Sequence, residues 1–189
     1  MKIKSKTPIF KGFTIIEMLV TMGVLTLLTS MILVYSRQGE SLSNLIRDSD
    51  RLVFNLNQVK NLSLLTLRQG DSVDSQNICG WGIHFDSGNS YKIFRDFCNS
   101  GTSNQYDSGE ETETITLLKG VEIFKKNVDD IIFIPPEPRV KFINFMADDE
   151  EDDDTSAFIR MRLTGQDKNK PYYRIRINLA GQISKQLKD

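Results

Sequence analysis

Twenty-three consecutive residues, Phe13 to Tyr35, carry a single charge, on Glu17. As an α-helix this stretch is about 35 Å long, enough to cross a hydrocarbon core of about 30 Å. Thr14, Thr21, Thr26, Thr29 and Ser30 soften it, but their hydroxyls can bond back to the preceding turn, so a spanning helix tolerates them. Lys2, Lys4, Lys6 and Lys11 precede Phe13 and no acid does, which predicts a cytoplasmic N-terminus by the positive-inside rule. The chain is 189 residues long, room for one modest globular domain beyond such an extension.

Two plain readings compete for this segment. A secretory signal peptide has an apolar core of about 7–15 residues and a small-residue cleavage site. Here the apolar run is longer, and no alanine occurs before Ala147. A simple membrane anchor fits the hydropathy but leaves Glu17 unexplained. An acid inside a spanning helix costs a few kcal/mol near the centre and is by default functional; the bland alternative is a carboxylate snorkelling to nearby headgroups.

The local pattern is more specific. Gly12, Phe13 and Glu17, within Lys11-Gly12-Phe13-Thr14-Ile15-Ile16-Glu17-Met18-Leu19-Val20, resemble the type III signal of type IV pilins and type II secretion pseudopilins. That resemblance implies a prepilin peptidase that cuts between Gly12 and Phe13 and N-methylates Phe13. It implies further partners: other pilin or pseudopilin subunits, and an inner-membrane assembly platform. The processing chemistry belongs to the peptidase, so the chain is a substrate and not an enzyme, with no cofactor. Before assembly it would be a single-pass inner-membrane protein with a cytoplasmic N-terminus, and its head would be periplasmic or extracellular.

Elementary physics accords with each part. A glycine lets a protease approach the backbone closely. Glu17 lies one helical turn from Phe13 on the same face. The family's account pairs this carboxylate with the N-terminal amine of a neighbouring subunit. In an apolar filament core such a pair is weakly screened, and any other stagger strands the charge, so Glu17 would set assembly register. No proline occurs between Pro8 and Pro135, which disfavours a kinked helix and leans toward a minor pilin or pseudopilin.

Beyond the anchor the pattern turns amphipathic. Leu42, Leu45, Ile46, Val53, Leu56, Val59 and Leu62 recur at three- and four-residue steps as far as Leu67, with Gly70 as a C-cap. One helix from Phe13 to about Leu67, or two joined at Gly39, both satisfy it. After Gly70 the signals are strands. The segments starting at Cys79 and at Tyr91 alternate across the turn residues 86–90, and pairing Phe85 with Tyr91 puts Trp81, Ile83, Phe85, Tyr91, Ile93 and Phe97 on one face. Residues 99–113 read as an exposed loop. Further strands follow at Thr114, Val121, Asp130, Arg139, Ala157, Tyr172 and Gln182. The predicted fold is α+β and pilin-like: a long N-terminal helix, transmembrane in its first half, packed on a mainly antiparallel sheet. Its parts are a leader (1–12), a membrane or filament-core helix (13–35), an amphipathic second half (36–69) and a β-rich head (70–189). Trp81 to Asp86, Tyr91 to Phe94 and Ile175 to Ile183 also resemble, more thinly, the heads of H-type pseudopilins and FimT-like minor pilins.

Few residues suggest chemistry in the head. The Phe85–Tyr91 register puts Cys79 and Cys98 on opposite faces, yet a bulge would join them and an exported domain is in an oxidising compartment, so a disulfide and two thiols both stay open. Asp148, Asp149, Glu150, Glu151, Asp152, Asp153 and Asp154 form an acidic run, read as a solvated loop; calcium is the alternative, without the glycine and spacing of a calcium loop. His84 reads as a surface histidine with no nucleophile in a motif beside it. Lys168, Lys170, Arg174 and Arg176, with Tyr172 and Tyr173 between, resemble a small nucleic-acid patch. This sustains a rival reading as a DNA-binding or adhesive module at a filament tip. Against it, the chain has 24 basic residues, four of them before Phe13, and 25 acidic ones, so the head is net acidic.

Overall fold

The computed structural model describes residues 12–66, 78–86, 88–98, 104–135, 139–146, 155–167 and 170–188, with the backbone alone at 33–38 and 66. A helix, α1 (Ile15–Thr66), is followed by nine strands: β1 (Ile78–Phe85), β2 (Ser90–Phe97), β3 (Glu111–Thr116), β4 (Val121–Lys126), β5 (Asp130–Ile134), β6 (Arg139–Ile143), β7 (Ala157–Leu163), β8 (Tyr172–Ile177) and β9 (Ile183–Lys188). The class is α+β, as the sequence predicts. Helix α1 is a single element through Gly39. Two compact units divide the chain, one ending at Glu40 and one beginning at Ser41.

In the second unit the strands form two antiparallel sheets, ordered β3-β2-β1-β5-β6 and β4-β7-β8-β9. The β1–β2 hairpin has the predicted register, Phe85 opposite Tyr91 and Ile83 opposite Ile93. Gly120 and Gly181 turn the chain at positive φ, 88° and 70°, where a side chain would be strained. One core joins Ile83, Phe85, Tyr91 and Ile93 to Ile131 and Phe133 of β5, to Ile159 and Met161 of β7 and to Ile175 and Ile177 of β8.

The portion of α1 beyond Ser41 closes this core with Leu45, Leu52, Leu56 and Val59. The buried stripe is rotated from the predicted one: Leu52 is fully buried, while Leu42 and Ile46 stay exposed. Polar side chains fix the helix on the sheets. Asn55 Nδ2 donates to the Tyr91 hydroxyl at 2.8 Å, Ser63 Oγ to the Phe133 carbonyl at 2.8 Å, and Lys60 Nζ to the Gly181 carbonyl at 2.8 Å. Asp48 accepts from Leu118 N at 2.6 Å. Each satisfies a group that would be costly to bury alone.

The five-stranded sheet is covered on both faces, which alternation in the sequence does not reveal. Phe94 and Ile132 point away from the main core yet are fully buried. Phe94 stands opposite Gly82. A Cβ at Gly82 would lie 2.4 Å from Phe94 Cζ and 2.8 Å from the Ile131 carbonyl oxygen, so only glycine fits under that ring. Residues 104–110, expected within an exposed loop, lie over this second face, and β3 already begins at Glu111.

Candidate functional site

The N-terminal junction is the first candidate. Gly12, Phe13 and Thr14 precede the helix, and nothing lies within 4 Å of where a Gly12 Cβ would stand. The Thr14 carbonyl accepts from Glu17 N at 3.1 Å and Met18 N at 3.2 Å, and Thr14 Oγ1 also accepts from Glu17 N, at 3.3 Å. Thr14 is therefore the N-cap, three residues before Glu17, the spacing of a capping box. This device is not among the sequence-based expectations above, although Thr-x-x-Glu ahead of an apolar run announces it. Glu17 in the first turn also complements the helix dipole.

Beyond that turn the helix holds apolar side chains out on every side, with Leu19 67%, Leu27 72% and Met31 75% exposed. The hydroxyls bond back to the preceding turn, as their type predicts: Thr21 to the Met18 carbonyl at 3.0 Å, Thr26 to Gly23 at 2.8 Å, Thr29 to Leu25 at 2.8 Å and Ser30 to Leu27 at 2.8 Å. Among the described residues one helical stretch, Ile15–Ile32, is long and apolar enough to cross a membrane.

Other predicted residues are placed as follows. Cys79 and Cys98 form a disulfide, with Cα atoms 5.0 Å apart. A register shift between Ile78 and Gly80 is what relieves their placement on opposite faces. Lys168 and the acidic run Asp148 to Asp154 lie outside the described residues. Lys170 is exposed. Arg174 is buried, its guanidinium 4.9 Å from the Phe158 ring centre, and Arg160, directly opposite on β7, sits 4.8 Å from the same ring. Arg176 is half-buried. Arg160 and Arg174 pack against aromatic side chains, so Lys170, Arg174 and Arg176 do not form the open basic patch their spacing suggests.

A polar cluster missed by sequence reasoning occupies the second face of the five-stranded sheet. His84, expected as a surface residue, is half-buried, with Nδ1 2.6 Å from Asp130 Oδ1. Its ring stacks on Tyr106 at 4.3 Å, and Tyr106 N donates to Asp130 Oδ2 at 3.1 Å. These contacts hold residues 104–110 to the sheet; the partners are 46 residues apart, so no local signal links them. Among the described residues no group of three or more His, Cys, Asp or Glu is placed to hold a metal ion.

Asp96 is the most constrained acid beside this cluster. It is fully buried, accepts from Asn104 N at 3.0 Å, and leaves Oδ1 without a hydrogen-bond partner. Burial, and then the nearby Glu110 and Asp107, push its carboxyl above the ordinary range against the Asn104 bond. Its folded pKa thus exceeds the unfolded one, so Asp96 opposes folding as pH rises from the unfolded value through the folded one. Asp96→Asn keeps this group neutral. Its melting temperature relative to the parent's is therefore expected to rise between pH 4 and pH 7. Thermal unfolding at the two pH values checks this; a pH-independent difference would contradict it.

Compared with family models, curated proteins and solved structures, the chain gives no match. Its arrangement, an apolar N-terminal helix followed by an antiparallel-sheet head, is compatible with the architecture of pilin-like subunits.

Proposed function

We propose that this chain is a structural filament subunit, a minor pilin or pseudopilin of a type IV pilus or type II secretion pseudopilus. The observation that carries the reading is the junction itself. Gly12 stands clear, the helix starts two residues after Phe13, and Glu17 falls in its first turn at the head of an exposed apolar helix. A prepilin peptidase acting at the membrane cuts after Gly12 and methylates the Phe13 amine. The basic leader stays cytoplasmic, and the helix remains in the bilayer until subunits pack it into a filament core. Thr14 caps the helix so that the new terminus emerges one residue before a fixed first turn. The DNA-binding or adhesive reading gains nothing from Arg174, which is packed on Phe158.

Mass spectrometry of the protein from its native membrane tests this. The expected N-terminus is Phe13 with one methyl group on its amine. An intact chain beginning at Met1, or cleavage elsewhere, would overturn the processing claim.

A further inference from the structure

Strand β9 runs along α1 toward the end of the head at which the helix enters. Gly181, just before the strand, lies beside Lys60, whose Nζ donates to its carbonyl at 2.8 Å. Further on, Lys185 Nζ donates to Ser49 Oγ at 3.1 Å. Lys188, paired with Tyr172, therefore lies nearer still to Ser41, the first residue of the head. The turn before β4 reaches the same end, where the Lys119 carbonyl accepts from Asn44 Nδ2 at 3.4 Å. Beside it, Thr164 N donates to the Gly120 carbonyl at 2.9 Å and opens the connection that carries Lys170. One end of the head thus gathers Lys119 and Lys170, both exposed, and Lys188, half-buried; Asp167 is an exposed acid in the same connection. Three large apolar side chains stand out at this end as well, with Leu42 51%, Ile46 38% and Leu187 56% exposed.

Single exposed apolar side chains carry no message, but apolar groups set among lysines suit the boundary between lipid headgroups and acyl chains. An anionic bilayer surface attracts each lysine that comes within a Debye length of it. The chain itself selects a bilayer as the occupant. Leu42 follows Ile32, the last residue of the candidate span, by ten residues of the same helix, about 15 Å at the α-helical rise. We propose that this end of the head docks on an anionic lipid bilayer, the one that holds the helix. Lys119, Lys170 and Lys188 meet headgroup phosphates, and Leu42, Ile46 and Leu187 sink to the headgroup boundary. The inference rests on the helix entering a bilayer; it depends neither on cleavage at Gly12 nor on filament assembly.

The test uses the full-length chain in nanodiscs of phosphatidylcholine, or of phosphatidylcholine mixed with phosphatidylglycerol, with a quencher at headgroup depth. A fluorophore is placed on Thr164→Cys, exposed at this end, or on Gln182→Cys, exposed at the far end. Cys79 and Cys98 are bonded to each other, so the new thiol alone reacts. Quenching is expected at position 164 in the anionic discs, weakly in the neutral ones, and at position 182 in neither. Lys119→Glu, Lys170→Glu and Lys188→Glu together should lower the ratio of docked to undocked heads roughly tenfold or more. The matching set of three Lys→Gln changes, which removes charge without reversing it, should fall between that variant and the parent. Raised salt should lower docking of the unaltered chain. Equal quenching at positions 164 and 182 would overturn the proposal, as would quenching indifferent to lipid charge, to the lysines and to salt. A chain that enters the discs without quenching at position 164 overturns this proposal alone; one that does not enter them overturns the membrane reading with it.

Discussion

A Glu17→Ala chain is expected to be cut after Gly12 like the unaltered chain, yet to be nearly absent from assembled filaments. Cleavage depends on the peptidase reaching the backbone at Gly12, where no neighbour intrudes, and alanine does not alter that access. Assembly differs because, on the proposed reading, the amine freed at Phe13 would need a counter-charge in a filament core without water. Removing one member of a buried ion pair costs about 3–5 kcal/mol, because the other is left uncompensated. Incorporation should therefore fall by roughly a hundredfold or more. Thr14 still caps the first turn, so the loss is not an unravelled helix. Glu17→Gln separates the roles further: it keeps the size and the helix-start preference of the residue but not the charge, and should assemble as poorly. Subunit counts in sheared filaments, set against the processed pool in the membrane, give the measurement. Normal incorporation of both variants would refute the register role.

The second large effect concerns the head. Replacing Cys79 and Cys98 together by alanine is expected to destabilise it by about 3 kcal/mol, the entropy of closing a loop of this size in the unfolded chain. For a protein of this length that is a fall of about 6–12 °C in melting temperature. Cys98 is exposed and Cys79 half-buried, so little packing is lost with the sulfur atoms and most of the change belongs to the crosslink. Thermal unfolding of the paired variant beside the parent decides it. Reduction of the unaltered protein should reproduce the shift, and no shift in either would contradict the crosslink's role.

What the sequence made legible is what local chemistry specifies. The β1–β2 register followed from alternation on either side of a turn, because a slip by one residue would have exposed Ile83 and Ile93. Gly120 and Gly181 turn the chain at positive φ, a local backbone demand that glycine meets without help from distant partners. The N-terminal junction was readable without any fold, since its residues are contiguous. What escaped notice depends on distant partners. His84 meets Asp130 and Tyr106 only after the sheet and the 104–110 segment come together. Arg174 reads as part of a basic patch until the fold packs it, with Arg160 across from it, against the Phe158 ring. One buried pair was within reach: the register that pairs Phe85 with Tyr91 also places Phe94 across from Gly82, and a large ring opposite a missing side chain marks a covered face.

The division at Glu40 and Ser41 bears on what cooperativity means for this molecule. The head encloses its own core, so it has a melting transition in the ordinary sense. Among the described residues of the first unit no side chain is buried: the apolar ones from Phe13 to Ile32 are exposed, so a helix there is stabilised little by its own packing. A single unfolding free energy therefore describes residues from Ser41 onward and not the chain.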